Sequence, residues 1–145
     1  MRPMTLQTLL EAANAVRTGE TSASALTEAA IARALETAEF NAFAVLDAED
    51  AMRQAQQLDA LPQAKGALHG VPITVKDLFN VAGLPTRAGT AAPLPLEFRS
   101  PTVDAAAVSR LRVAGAVILG KVNLHEIALG ITGENAHTGD VSNPI

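Results

Sequence analysis

Lys76 and Asp77 close the stretch HGVPITVKD, His69 to Asp77, directly after the alternating apolar residues Val71, Ile73 and Val75. Alternation with period two marks a half-buried strand, so an amine and a carboxylate stand where that strand finishes. One reading is a solvated strand terminus, since lysine is rarely buried without a partner. The other is a base. Pro72 to Val75, Leu78 and Phe79 are apolar, and a Gly- and Pro-rich segment follows that could roof a cleft over the amine. Burial removes the hydration that favours the ammonium form and so lowers the pKa. A base working near neutrality needs a fall from about 10.4 to about 7 or 8, roughly 3 to 5 kcal/mol of differential environment.

Two other groupings compete for chemistry. GAVILGKV, Gly115 to Val122, meets the Gly, four residues, Gly, Lys spacing of a phosphate loop, but Val122 replaces the hydroxyl that would hold Mg²⁺. Its four spacer residues are strand formers, whereas a phosphate cradle turns its amides inward on flexible residues. The plain reading has Gly115 ending a helix, Val117 to Leu119 in a buried strand and Lys121 as a charge at the strand end. His69, His125 and His137 show no i, i+4 pair of the His-Glu-x-x-His kind, and Glu126 directly follows His125. No metal or other cofactor is expected, and the histidines read as surface or loop residues.

The chain that positions these groups has 145 residues, 48% of them hydrophobic, enough for the core of one domain. With four Phe and no Trp or Tyr, that core is aliphatic and offers no platform for base stacking. The net charge is -4 and no Lys/Arg cluster tracks a phosphate backbone, which argues against direct nucleic-acid binding. Zero cysteines exclude a Cys nucleophile and thiolate metal sites. The N-terminus reaches Glu11 and Asn14 before an uninterrupted apolar run forms, and no window approaches the roughly 18 apolar residues of a membrane span. The expectation is a cytoplasmic protein without a membrane partner.

Residues 1–60 read as mainly helical and 66–145 as the start of an α/β core, all within one unit, 1–145. Leu6, Leu9, Leu10, Ala13 and Val16 recur at helical spacing before Gly19. Thr21 or Ser22 caps a second helix carrying Leu26, Ala30, Ala34 and Leu35. Ala42 to Leu46 predicts a strand, and Asp47, Glu49 and Asp50 open a third helix with Ala51, Met52, Ala55 and Leu58. After a linker, Leu61 to Leu68, comes the quoted strand, with Pro72 marking an edge or a start. The following 22 residues, Asn80 to Pro101, form a loop. Thr102 and Asp104 then start a helix with Val103, Ala107, Leu111 and Ala114 on one side, and AVILG follows as a strand buried on both faces. Asn123 caps a last short helix, Leu124 to Leu129, and the remainder reads as loop. The fold class is α/β: N-terminal helices, then part of a mixed, mostly parallel sheet flanked by helices. So small a sheet leaves edges and a face uncovered.

GALHGVPITVKDLFNVAGLPTRAGT, Gly66 to Thr90, resembles the lysine-bearing segment of the amidase signature enzymes. The resemblance continues through Asp104 to Gly130 and Asn143-Pro144, and the N-terminal helices are similar as well, so it covers nearly the whole chain. It implies an amide hydrolase with a Ser-Ser-Lys triad: a serine nucleophile, a bridging serine in a cis peptide, and a lysine matched here by Lys76. In such a relay the neutral amine accepts a proton through the bridging serine and returns it to the leaving nitrogen. Gly130, Ile131 and Thr132 are expected, by the same analogy, to face the substrate cleft.

The sequence departs from the family in one respect. The Gly/Ser-rich stretch that carries both serines follows the Asn-Pro in the family, and none of Ser22, Ser24, Ser100, Ser109 or Ser142 lies in such a stretch. Without nucleophile and oxyanion donors the 145 residues alone are expected to be inactive. Two alternatives remain. One is a fragment of the A subunit of a glutamine-dependent tRNA amidotransferase, and the other is a non-catalytic interaction module. A homodimer or association with the missing C-terminal part are the assemblies expected.

Overall fold

The structure, a computed structural model, describes residues 8–143. Leu6 of the expected first helix and Pro144 of the Asn-Pro pair lie outside the described residues.

Three helices and a strand occupy the first 60 positions: α1 (Leu9–Thr18), α2 (Ala23–Glu36), β1 (Phe43–Leu46) and α3 (Ala48–Asp59). Their ends are set by short-range chemistry. Thr8 and Glu11 form a capping box on α1, Ser22 accepts from the Ala25 amide at 3.0 Å at the start of α2, and the Asp47 side chain accepts from Asp50 at the start of α3. Gly19 ends α1 in the left-handed conformation at φ 74°. The buried face of α1 is not its leucines: Ala12 and Ala15 are buried, while Leu9 and Leu10 are 49% and 78% exposed. Small residues let α1 sit close to Leu26 of α2 and to Val71, and the larger side chains one step round the helix turn outward.

The other elements are β2 (Pro72–Lys76), the single-turn helix α4 (Leu96–Arg99), α5 (Ala106–Val113) and β3 (Val117–Val122). The sheet has the order β1-β3-β2, with β3 antiparallel to β1 and parallel to β2, so it is mixed and Pro72 does sit on an edge strand. Central β3 is covered on both sides. Val117 and Leu119 pack with Ala23, Ala51, Ala55 and Leu58 of α2 and α3, and Ile118 packs with Val75, Val81 and Val108 on the opposite face.

Two expected helices are shorter than the sequence suggests. Asp104 does not cap α5: its Oδ1 accepts from the Ala82 amide at 2.8 Å and its Oδ2 pairs with Arg112 Nε at 2.9 Å, so the helix begins only at Ala106. Its buried contact is Val108, at 1% exposure, while Val103 is 70% exposed. Asn123 likewise spends its side chain elsewhere, donating to the Asn41 carbonyl at 2.8 Å, and only a 3₁₀ turn forms at Glu126–Ala128. Ile127 and Ala128 adopt positive φ, which ends any helix there. The closing segment is loop as expected, and Asn135, 5% exposed, fastens it. Its Nδ2 donates to the carbonyls of Gly89 and Leu124, and its Oδ1 accepts from the amides of His137 and Thr138.

Candidate active site

Along β2 the alternation sorts the last residues: Val75 and Asp77 are buried, and Thr74 and Lys76 face outward and are exposed. The backbone turns sharply here. The Lys76 carbonyl accepts from the amides of Leu78 and Phe79 at 2.7 and 3.1 Å. The Asp77 amide donates to the Val122 carbonyl at 2.9 Å, which keeps Lys76 registered against the end of β3. Among the described residues no carboxylate pairs with the Lys76 amine. The amine is therefore held at its root and free at its tip.

The loop after β2 does roof a lysine, but a different one. Lys121 is 0% exposed, contrary to its reading as a charge at a strand end. Its Nζ lies 2.8 Å from Asp77 Oδ1 and donates to Thr86 Oγ1 at 2.9 Å and to the Pro85 carbonyl at 3.2 Å. The cause is a bulge. Ile73 pairs with Ile118, but Thr74 pairs with Gly120, so one extra residue in β3 reverses its alternation. Lys121 is thereby turned to the face of its register partner Val75, where Asp77 also points. Gly120 carries the bulge at φ 150°, and a Cβ there would overlap the Val45 carbonyl oxygen.

Burial lowers the Lys121 pKa from its ordinary value, and the hydrogen bond and charge of Asp77 oppose that fall. Asp77 in turn organises the loop: its Oδ2 accepts from the Arg87 amide at 3.2 Å and its carbonyl from the Ala88 amide at 2.9 Å. Asp77, Thr86 and Lys121 thus form a buried polar knot beneath the strand end, and Lys76 stands on the opposite face. Sequence reasoning missed this knot. The one local signal was a lysine following the apolar run Ala116 to Leu119.

The other candidate residues lie apart. Gly130 packs on the His125 ring, Ile131 is fully exposed, and the Thr132 hydroxyl donates to Glu134 at 3.2 Å. His69 Nδ1 accepts from the Lys65 amide at 3.0 Å, and His137 Nε2 lies 3.3 Å from Glu126. Among the described residues no three His, Asp or Glu side chains gather as metal ligands would.

The family model described as Amidase matches residues 25–145. The chain belongs to the amidase family. Among curated amidase-family relatives, the A subunit of glutamyl-tRNA(Gln) amidotransferase from Acidobacterium capsulatum is 42% identical over 97% of the chain and 30% of its own length. Mandelamide hydrolase of Pseudomonas putida is 40% identical over 88% of the chain and 25% of its own length. An amidase crystal structure superposes with a TM-score of 0.85 at 53% identity, covering 93% of the chain and 31% of that protein. The peptide amidase of Stenotrophomonas maltophilia superposes at 0.84 with 32% identity, covering 98% of the chain and 31% of that protein. The chain therefore spans about 30% of the length of the amidase relatives it matches.

Proposed function

We propose that this chain supplies the lysine of an amide hydrolase, with Lys76 as the proton carrier of a Ser-Ser-Lys triad whose serines lie outside these 145 residues. The observation that carries the reading is the placement of Lys76. It is anchored by backbone bonds at a strand end, its amine exposed and unpaired with any acid among the described residues, while the neighbouring Lys121 and Asp77 neutralise each other in the core. An amine so placed is available to a hydroxyl approaching from outside. The serine-bearing part would supply the nucleophile and the oxyanion donors.

The substrate in this reading is a small amide, and the reaction cleaves its carbon-nitrogen bond through an acyl-enzyme. Gly130 to Thr132 would face the substrate cleft once it is completed. The second reading is the A subunit of a tRNA-dependent amidotransferase, favoured by the 42% identity to that protein. In that case the amide is glutamine, and the ammonia released passes to another protein of the assembly. We place the protein in the cytoplasm, and among the described residues no helix is long and apolar enough to cross a membrane.

The test is ammonia release from mandelamide and from glutamine, assayed with the purified chain alone and after mixing with the serine-bearing remainder of the amidase that is 53% identical to it. No release from the chain alone and release after mixing support the reading. Tight association without release on either amide contradicts it and favours a non-catalytic interaction module.

A further inference from the structure

The loop that covers Lys121 also walls a cavity of about 280 Å³ on its outer side, near the lower end of the roughly 300–1,000 Å³ typical of small-molecule sites. Pro85, Pro93 and Leu94 give it apolar walls, and Thr86, Arg87 and Arg99 also line it. Neither arginine is paired with a carboxylate among the described residues. Of the acids around this loop, Asp77 and Glu126 are already engaged, while Glu97 on α4 makes no ion pair among the described residues. Asp77 is neutralised by Lys121, and Glu126 accepts from the wall residue Thr90 at 2.6 Å and lies 3.3 Å from His137. The Thr86 hydroxyl accepts from Lys121 Nζ at 2.9 Å and donates to the Phe79 carbonyl at 3.3 Å, which fastens this wall of the cavity to the core.

Two unpaired guanidiniums beside an apolar wall suit an anion with a hydrophobic body, because a guanidinium binds a carboxylate through a planar fork of N–H donors. We propose that this cavity binds small carboxylates, with Arg87 and Arg99 holding the anionic oxygens and Pro85, Pro93 and Leu94 covering the apolar part. The Arg87 amide is bonded to Asp77, the residue after Lys76, so occupancy would bear on the backbone that roots that amine. The site does not require Lys76 to take part in amide hydrolysis, and its test is independent of that reading.

The purified 145-residue chain is titrated with benzoate, with the neutral isostere benzamide and with inorganic phosphate, following backbone amide signals by NMR. Benzoate should shift Thr86, Arg87 and Thr90 saturably, and benzamide and phosphate should each bind about tenfold more weakly, the first lacking the charge and the second the apolar body. Arg87→Gln and Arg99→Gln should each weaken benzoate about fivefold to tenfold, while Arg110→Gln on exposed α5 leaves it unchanged. All three arginines are exposed, so the variants keep the fold, and unchanged thermal melts verify this. Equal affinity for benzamide or phosphate, insensitivity to the double Arg87→Gln/Arg99→Gln variant, or no saturable shift at all would overturn the proposal.

Discussion

Lys121 Nζ and Asp77 Oδ1 stand 2.8 Å apart with side chains 0% and 3% exposed, and they join β3 to the turn that follows β2. Such a pair contributes little over a well-packed apolar pair, but breaking one side strands a charge in the core. Lys121→Met should cost about 3 to 5 kcal/mol in urea unfolding, and Lys121→Met/Asp77→Asn should cost clearly less than Lys121→Met alone. A single substitution costing under about 1 kcal/mol would show that the two groups are solvated in the folded protein.

The same pair predicts a pH dependence of unusual direction. Burial holds the folded pKa of Lys121 below its ordinary value of 10.5. Between the folded and unfolded values the unfolded chain binds more protons, so stability rises with pH through that window and levels off above 10.5. Urea midpoints compared between the wild type and Lys121→Met/Asp77→Asn should show this alkaline rise only in the wild type. A midpoint difference that stays flat or falls toward pH 10.5 would be inconsistent with a buried ammonium.

Asp59, at the end of α3, caps α2 from outside: its carboxylate accepts from the amides of Ala23 at 2.7 Å and Ser24 at 3.0 Å. Partial burial pushes its pKa up, but the hydrogen bonds from the Ser24 side chain and from the Ser24 and Ala23 amides outweigh this and bring it below 3.8. Its stabilisation is therefore present above pH 3.8 and lost as pH falls through the folded value. Asp59→Ala should lower stability at neutral pH by about 1 kcal/mol, as loss of a helix cap does, with a smaller difference from wild type in acid. Equal loss at all pH values would mean that the carboxylate charge plays no part.

Several features with partners within four residues were legible in the sequence, though not the Thr8–Glu11 capping box, and those with distant partners were not. Ser22 and Asp47 cap helices three residues away, and Gly19 ends α1 locally, so composition and spacing were enough. Asp104 and Asn123 have the same cap-forming chemistry, but they bond to Ala82 and to Asn41, 22 and 82 residues distant, which no local pattern reveals. The lysine at the end of β2 was legible because alternation is local. The burial of Lys121 was not, because it depends on a one-residue bulge that only pairing with β2 defines. The expectation that the Gly/Pro-rich loop roofs Lys76 is not met: Lys76 is exposed, and the bulge places Lys121 under the loop instead.

The proposed function gives the two lysines different roles: Lys76 would carry the proton, while Lys121 is paired with Asp77 in the core. Lys76 is exposed, so Lys76→Ala should leave urea stability within about 0.5 kcal/mol of wild type. The direct measurement is kcat/KM for mandelamide after mixing each variant with the remainder of the 53% identical amidase. Lys76→Ala should fold normally and lose about 10²- to 10⁴-fold in kcat/KM, the contribution of a positioned base. If Lys76→Ala keeps wild-type turnover in that mixture, the assignment of Lys76 as the proton carrier is contradicted.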